Sequence, residues 1–166
     1  MTNVFISAAL FSAVEREYNA RITEALLENG YEVFLPQRAS DQVRADNPER
    51  PGEDLISHRE LIGRLTFDAC LSGIESSDLL IALLDGTDVD SGTAWEIGYA
   101  YAKGIPVLGV RSDKRTTQRG PVNIMIAYAL KQALYFDDPS LSINQLIDEI
   151  LSAAKSVLPS GDLVDG

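Results

Sequence analysis

The apolar positions of this chain follow two patterns, one typical of strands and one typical of helices, which take turns along the sequence. Short runs that are fully apolar or apolar at every second residue predict strands at 4–7, 31–35, 79–84, 105–110 and 134–136. Segments with apolar residues three and four positions apart predict helices at 11–29, 55–74, 91–103, 122–130 and 141–157. Strands and helices therefore take turns along the whole chain.

This alternation indicates an α/β fold. We expect a single doubly wound domain over residues 1–158, built on a mostly parallel five-stranded sheet of the flavodoxin- or Rossmann-like kind, with helices on both faces. We expect the final segment, 159–166, to be a loose tail. The polar segment 37–53 contains Pro48 and Pro51 and predicts a long irregular loop, a feature that is often functional.

The expected site lies at one edge of this sheet. Parallel sheets of this kind bind ligands outside the carboxyl ends of their strands. Three connections are predicted there, at 7–11, 36–53 and 85–93. The third follows the most apolar run of the chain, so it leads from a buried strand directly into a helix.

The helix after this strand has a well-formed beginning. Thr93-Ala-Trp-Glu96 fits the capping box S/T-x-x-E, in which the glutamate side chain bonds the backbone N–H of the cap residue. Asp90 or Ser91 could equally be the cap residue. In this interpretation Glu96 has a structural role only.

Glu96 can also be interpreted as a catalytic carboxylate. Asp85, Asp88 and Asp90 bring negative charge towards it, which should oppose ionisation, as in sites that use carboxylates as acid and nucleophile. Gly92 would let a ligand approach the backbone at the head of the helix. A carboxylate is a suitable nucleophile at a carbon that becomes oxocarbenium-like, as in glycosidic cleavage.

The charge of the chain limits its partners. A net charge of -11 disfavours binding to nucleic acid and to membrane surfaces, because both need clustered Lys and Arg. The basic residues after the fourth strand predict a solvated surface; they are Arg111, Lys114, Arg115 and Arg119.

Cysteine and histidine are scarce. The chain has one cysteine, Cys70, and one histidine, His58, so an internal disulfide is impossible and a metal centre based on these residues is not expected. No apolar run approaches the ~18 residues of a membrane span, and the N-terminus lacks a basic leader. These features predict a cytoplasmic protein whose chemistry comes from carboxylates, amides and hydroxyls, without metal or organic cofactor.

Three blocks of the sequence resemble one enzyme family. The run DVDSGTAWEIGYAYAKGIPVLGV at 88–110 resembles the signature of the nucleoside 2-deoxyribosyltransferases. The N-terminal block, VFISAALFSAVERE at 4–17 followed by NGYEVFLPQR at 29–38, is similar to the first strand, helix and second strand of that family. The third block, GPVNIM at 120–125, is similar to its G-x-x-N-x-M segment. The blocks agree in order and separation, so the resemblance covers about residues 3–130.

The resemblance implies roles for particular residues. Glu96 stands at the position of the glutamate that attacks the anomeric carbon of a 2′-deoxynucleoside, and Asp90 matches an aspartate that helps to bind substrate beside it. Asn123 matches an asparagine that hydrogen-bonds the sugar, often across a subunit boundary, with Met125 beside it. Phe11 matches an aromatic residue that lines the pocket. Ser7, on the loop under this aromatic, is also expected to bind substrate.

The chain departs from the family pattern at two places, and Asp90 separates it from a related group of enzymes. Ala8-Ala-Leu-Phe11 replaces G-P-L-F. Cys70 stands where many members carry an aspartate that assists at the base, and Asp88 or the 37–53 segment could supply what is missing. Related N-glycosidases that act on 5′-monophosphates tend to have serine at the position of Asp90, where a carboxylate would repel a phosphate.

These inferences lead to a first hypothesis and two alternatives. The first is a nucleoside 2-deoxyribosyltransferase of nucleoside salvage, acting on a nucleoside and a free nucleobase through a covalent deoxyribosyl-glutamate, as a homodimer or larger homo-oligomer with shared active sites. The second is a nucleoside or deoxynucleoside 5′-monophosphate N-glycosidase, which uses water as acceptor. The third is a non-catalytic nucleotide-binding protein.

Overall fold

The fold is a five-stranded, all-parallel sheet with helices on both faces. The computed structural model describes residues 1–115, 121–138 and 140–158, so the predicted tail at 159–166 lies outside the described residues. The strands are β1 (Asn3–Ser7), β2 (Glu32–Phe34), β3 (Leu79–Leu83), β4 (Val107–Arg111) and β5 (Gln132–Tyr135). Their order across the sheet is β2-β1-β3-β4-β5. All five strands predicted from the sequence are confirmed.

Six helices are present in the described part of the chain. They are α1 (Ala13–Glu28), α2 (Pro36–Asp46), α3 (Leu55–Glu75), α4 (Ser91–Ala102), α5 (Ile124–Ala129) and α6 (Ile143–Val157). Five of them correspond to the predicted helices. The doubly wound α/β prediction is therefore confirmed.

The two faces of the sheet bury two separate cores because strand side chains alternate between faces. Val4 and Ile6 of β1 pack in one core with residues of α1 and α6. Phe5, between them, packs in the other core with Ile74 of α3 and Ile97 of α4. Both β3 and β4 are buried along their whole length, as expected for central strands covered on both faces.

The sequence prediction of an irregular loop at 37–53 is wrong for its first half, which forms α2. Pro36 occupies the first turn, where its missing N–H costs nothing. The helix buries only Pro36 and Gln37, and the Gln37 side chain donates to Arg16 O at 3.0 Å and accepts from Asn19 Nδ2 at 3.2 Å. Because so little of α2 is apolar, the spacing of apolar residues did not reveal this helix in the sequence.

The strand order creates a crevice between β1 and β3. The chain leaves β1 towards α1 on one face and leaves β3 towards α4 on the other face. In doubly wound sheets, this divergence opens a crevice at the carboxyl ends of the two strands, where ligands bind. Ser7 is the last residue of β1, and the β3–α4 connection contains Asp85, Asp88 and Asp90, so both lie at this edge of the sheet.

Candidate active site

Ser7 and Glu96 form a hydrogen bond at the carboxyl end of β1. Ser7 is fully buried, and its Oγ donates to Glu96 Oε2. Glu96 is the sixth residue of α4 and is partly buried. Although 89 residues separate them along the chain, the parallel arrangement of β1 and β3 brings the end of β1 under the second turn of α4.

The capping-box interpretation of Glu96 is wrong. The cap residue of α4 is Asp90, whose Oδ2 accepts from Thr93 N at 3.0 Å. The helix thus begins three residues before the position that the capping box requires, and Glu96 lies beyond the first turn. Its carboxylate does not cap the helix and accepts a hydrogen bond from Ser7 instead.

Gly92 lies exposed in the first turn of α4, where a side chain would crowd the cap. A Cβ at this position would lie 3.0 Å from Asp90 Oδ2, so glycine avoids a steric conflict with the capping carboxylate. The close approach of a ligand at Gly92 stays a prediction.

Burial raises the pKa of Glu96 to about 7. Removal of the carboxylate from water is the largest cause; the hydrogen bond from Ser7 lowers the pKa, and the negative charge of Asp90 raises it. The expectation that several aspartates oppose the ionisation of Glu96 is therefore only partly right, since among its causes only Asp90 raises the pKa by its charge. Asp85 is directed away, since it accepts from Ser112 N at 2.6 Å and from Asp113 N at 2.8 Å.

Cys70 lies beside Glu96, on α3. Burial, and then the negative charge of Glu96, raise the pKa of the thiol to about 11. At neutral pH the thiol is therefore protonated and uncharged. The position at which the resemblance implies an aspartate thus contributes no second carboxylate to the crevice.

Three other predicted residues lie on the opposite side of α4. Asp88, Asn123 and Met125 line a cavity of about 830 Å³ between α4 and α5, which Glu96 does not line. Ala94 and Gly98 also line it, and each is two positions from Glu96, which is about 200° around a helix. Within one chain, the structure therefore does not bring these three residues to Glu96.

Asn123 also has a structural role. It caps α5, and its Oδ1 accepts from Met125 N at 2.9 Å. The short helix that follows buries none of its residues: Ile124 is 66% exposed, Met125 79% and Tyr128 82%. This end of the cavity is thus an apolar surface with a polar amide at its edge.

Phe11 lies on the surface of the β1–α1 connection and is 80% exposed. Its backbone N–H donates to Glu15 Oε2 at 2.9 Å, within the capping box that begins α1. No contact between its ring and the crevice is seen, so a pocket-lining role stays a prediction.

Arg111 has a role that the sequence did not indicate. The prediction of a solvated basic surface is wrong for this residue, which is 5% exposed. Its Nη1 donates to Leu84 O, and its Nη2 donates to Gly86 O at 2.7 Å and to Arg115 O. Arg111 thereby ties the β3–α4 connection to the loop after β4; Arg119, from the same predicted cluster, lies outside the described residues. A basic residue that ends a buried strand was the available signal.

Two general features of the described residues bear on the site. No group of three His, Cys, Asp or Glu side chains in this part of the chain is arranged to hold a metal ion. None of the helices described combines the length and the apolar character needed to cross a bilayer.

One family model matches most of this chain. The family model described as nucleoside 2-deoxyribosyltransferase matches residues 4–145. Among curated proteins, no sequence matches the chain.

Similar folds are found among solved structures. A conserved protein from Enterococcus faecalis V583 is 27% identical with a TM-score of 0.66, over 92% of this chain and 99% of that one. The 2-deoxyribosyltransferase of Bacillus psychrosaccharolyticus is 23% identical with a TM-score of 0.59, over 87% and 96% of the two chains. The CMP N-glycosidase of Clostridium botulinum is 19% identical with a TM-score of 0.55, over 92% and 99%.

The family match defines an enzyme that acts on N-glycosidic bonds, as a transferase or as a hydrolase. The family match covers most of the sequence. The chain belongs to the nucleoside 2-deoxyribosyltransferase family, which confirms the resemblance seen in the three sequence blocks.

Proposed function

We propose that this protein is a cytoplasmic nucleoside 2-deoxyribosyltransferase of nucleoside salvage, which moves 2-deoxyribose from one nucleobase to another. The observation that carries the proposal is the environment of the Glu96 carboxylate. It is partly buried, accepts a hydrogen bond from Ser7, and has a pKa raised to about 7. Such a carboxylate is poorly solvated when ionised, so it is a better nucleophile than a carboxylate in water.

The proposed reaction has two steps. In the first, a lone pair of the Glu96 carboxylate forms a bond to C1′, and the C1′–N bond breaks with its electron pair left on the base, which takes a proton from water. In the second, a nitrogen of the incoming base attacks C1′, the bond to Glu96 breaks, and the new nucleoside gives a proton to the hydroxide that the first step left in the solvent. The ionised carboxylate is restored, so atoms and charge balance over the cycle.

Asp90 favours a nucleoside over a nucleoside 5′-monophosphate. The N-terminus of a helix is a good anion site because its first N–H groups are free. Here the Asp90 carboxylate already accepts from Thr93 N at 3.0 Å and brings its own negative charge to this place. A substrate phosphate would therefore meet both repulsion and an occupied donor. In this proposal Asp90 keeps the head of α4 in place and positions an uncharged sugar beside Glu96.

A second copy of the chain is the proposed source of Asn123. In one chain, Asn123 lies on the far side of α4 from Glu96, next to the exposed apolar residues of α5. Exposed apolar surface of this kind is typical of a contact between subunits. A symmetric dimer formed through α5 would bury it and could bring the partner's amide to the crevice.

A mixing experiment tests this sharing. Glu96→Gln and Asn123→Ala are each expected to be poorly active alone. In a dimer with shared sites, mixing and re-equilibrating them in equal amounts should restore about a quarter of wild-type activity, because half of the dimers then contain one intact site of two. Activity no higher than the sum of the separate variants would show that Glu96 and Asn123 do not act across a subunit boundary.

The covalent step is tested by trapping. Incubation with a 2-fluoro-2-deoxynucleoside should add the mass of one fluorosugar to the protein, and peptide mapping should place it on Glu96, since the fluorine destabilises the transition state that breaks the intermediate down. Glu60→Gln, an exposed glutamate of α3, is the matched control and should be labelled like the wild type. No adduct with any base tested would favour a non-catalytic nucleotide-binding protein.

The acceptor is tested separately. Wild-type enzyme incubated with deoxyinosine and adenine should form deoxyadenosine much faster than it releases free deoxyribose. Equal release of deoxyribose with and without adenine would identify water as the acceptor, and the enzyme as an N-glycosidase.

A further inference from the structure

The hydroxyl of Ser7 is enclosed by the centre of the sheet. Ser7 is the last residue of β1, pairs with Ala82 of β3, and has no exposed surface. Its Oγ donates to one oxygen of Glu96, Oε2. A buried side chain whose hydroxyl is engaged in this way has little means of contacting a substrate, so the substrate-binding role expected from the sequence does not suit it.

We infer that Ser7 is a positioning residue, which holds Oε2 of Glu96 in the floor of the crevice and leaves Oε1 directed to the sugar. The inference rests on the proposed function of Glu96 as nucleophile. A carboxylate on a flexible glutamate side chain has several rotamers, and a bond to the rigid end of a central strand selects one of them. Ser7 thus acts through Glu96 and not on the substrate.

The other groups around Glu96 make this hydrogen bond important. Asp90, from the head of α4, brings negative charge; Cys70, from α3, is an uncharged thiol at neutral pH. Neither supports the ionised carboxylate. The hydrogen bond from Ser7, on β1, does support it, because a donor stabilises the charged form of an acceptor. Ser7 therefore favours the ionised state that attack requires.

Removing the hydroxyl should move the pH dependence of the reaction. In Ser7→Ala, the acid limb of kcat/KM, which reports ionisation in the free enzyme, should shift to higher pH. At pH 7 we expect kcat to fall about 10- to 100-fold, as for the loss of a hydrogen bond to a charged group. The KM should change by less than about twofold, since the binding surface is unchanged. Raising the pH should recover part of the loss in kcat.

Two further variants separate positioning from general damage. Ser7→Thr retains the hydroxyl, so its acid limb should stay near that of the wild type even where the added methyl lowers stability. Ser77→Ala is the matched control: Ser77 is also a buried serine, whose Oγ donates to Gly73 O at 2.7 Å, but it precedes β3, at the opposite edge of the sheet. It should lose stability without moving the acid limb.

A direct titration makes the outcome independent of turnover. The carboxyl carbon of Glu96 can be followed by NMR in glutamate-labelled protein, with the signal assigned by its absence in Glu96→Gln. The midpoint should rise in Ser7→Ala and be unchanged in Ser77→Ala. An unchanged midpoint and acid limb, or a raised KM at constant kcat, would overturn the positioning role. A raised midpoint in a protein that is inactive on every deoxynucleoside would support the Ser7–Glu96 contact and refute the proposed function instead.

Discussion

Replacing Glu96 with glutamine is expected to reduce base exchange between deoxyinosine and adenine by more than about 10⁴-fold, the scale of losing a covalent nucleophile. The amide has the size of the carboxylate and its Oε1 can still accept from Ser7, so the crevice should keep its shape. It lacks the negative charge that forms the bond to C1′. The measurement is the initial rate of deoxyadenosine formation by chromatography. Glu60→Gln should match the wild type, and near-normal activity of Glu96→Gln would refute the nucleophile.

The same variant should be more stable than the wild type in alkaline solution. Because burial raises the pKa of Glu96 in the folded protein to about 7 from its ordinary value of 4.5, the folded state holds a proton between these pH values that the unfolded chain has lost. The wild type therefore loses stability as the pH rises through this interval, by on the order of 1–3 kcal/mol once Glu96 is fully ionised.

Glutamine does not ionise and avoids this loss. The difference in the free energy of unfolding between Glu96→Gln and the wild type should thus be small at pH 4.5 and grow to its full value by about pH 8.5, in urea titrations at each pH. Inactivity together with this stabilisation would show that a folded protein has lost its chemistry. A variant that is destabilised at pH 8.5 would contradict the burial of an ionisable carboxylate.

Replacing Arg111 with methionine is expected to destabilise the fold by about 2–4 kcal/mol. Methionine fills most of the space of the aliphatic stem, but the carbonyl oxygens of Leu84, Gly86 and Arg115 lose their charged donor. Two of these oxygens belong to the connection between β3 and α4. The position of the α4 head, and with it the activity, should suffer even below the unfolding transition.

Urea denaturation measures the effect, with Arg64→Met as control. Arg64 is an exposed arginine of α3, and its replacement should change the free energy of unfolding by less than about 0.5 kcal/mol. If the two variants were equally stable, the guanidinium of Arg111 would have to be solvated and its carbonyl contacts absent in solution.

The elements that the sequence predicts best are those that bury long apolar runs. The strand at Leu79–Leu83 is apolar at every position, and turn residues on either side limit its length. By contrast α2 was missed, because it buries only Pro36 and Gln37 and is held by amide hydrogen bonds to α1 and by packing on α3. Such contacts do not require a stripe of buried apolar residues, so the apolar spacing of the sequence did not indicate the helix.

The candidate site, like the fold, was predicted from the sequence only in part. The family pattern singled out Glu96 and Asp90, but the choice between cap and carboxylate needed the actual start of α4. Asp90 and Thr93 are both good cap residues, so local sequence fits either start. The hydrogen bond from Ser7 to Glu96 joins positions 89 residues apart and depends on the pairing of β1 with β3. Sequence patterns do not specify this pairing.

Cys70 gives the crevice a chemical selectivity of its own. A thiol reacts with electrophiles as the thiolate, and a thiol whose pKa is raised to about 11 is almost entirely un-ionised at neutral pH. The pKa of Glu96 is raised only to about 7, so far more of this carboxyl group than of the thiol is ionised under the same conditions. If Glu96 is the nucleophile proposed above, an electrophilic sugar carbon held beside it should react with the carboxylate, and we expect little of it to be lost as a thioglycoside at Cys70.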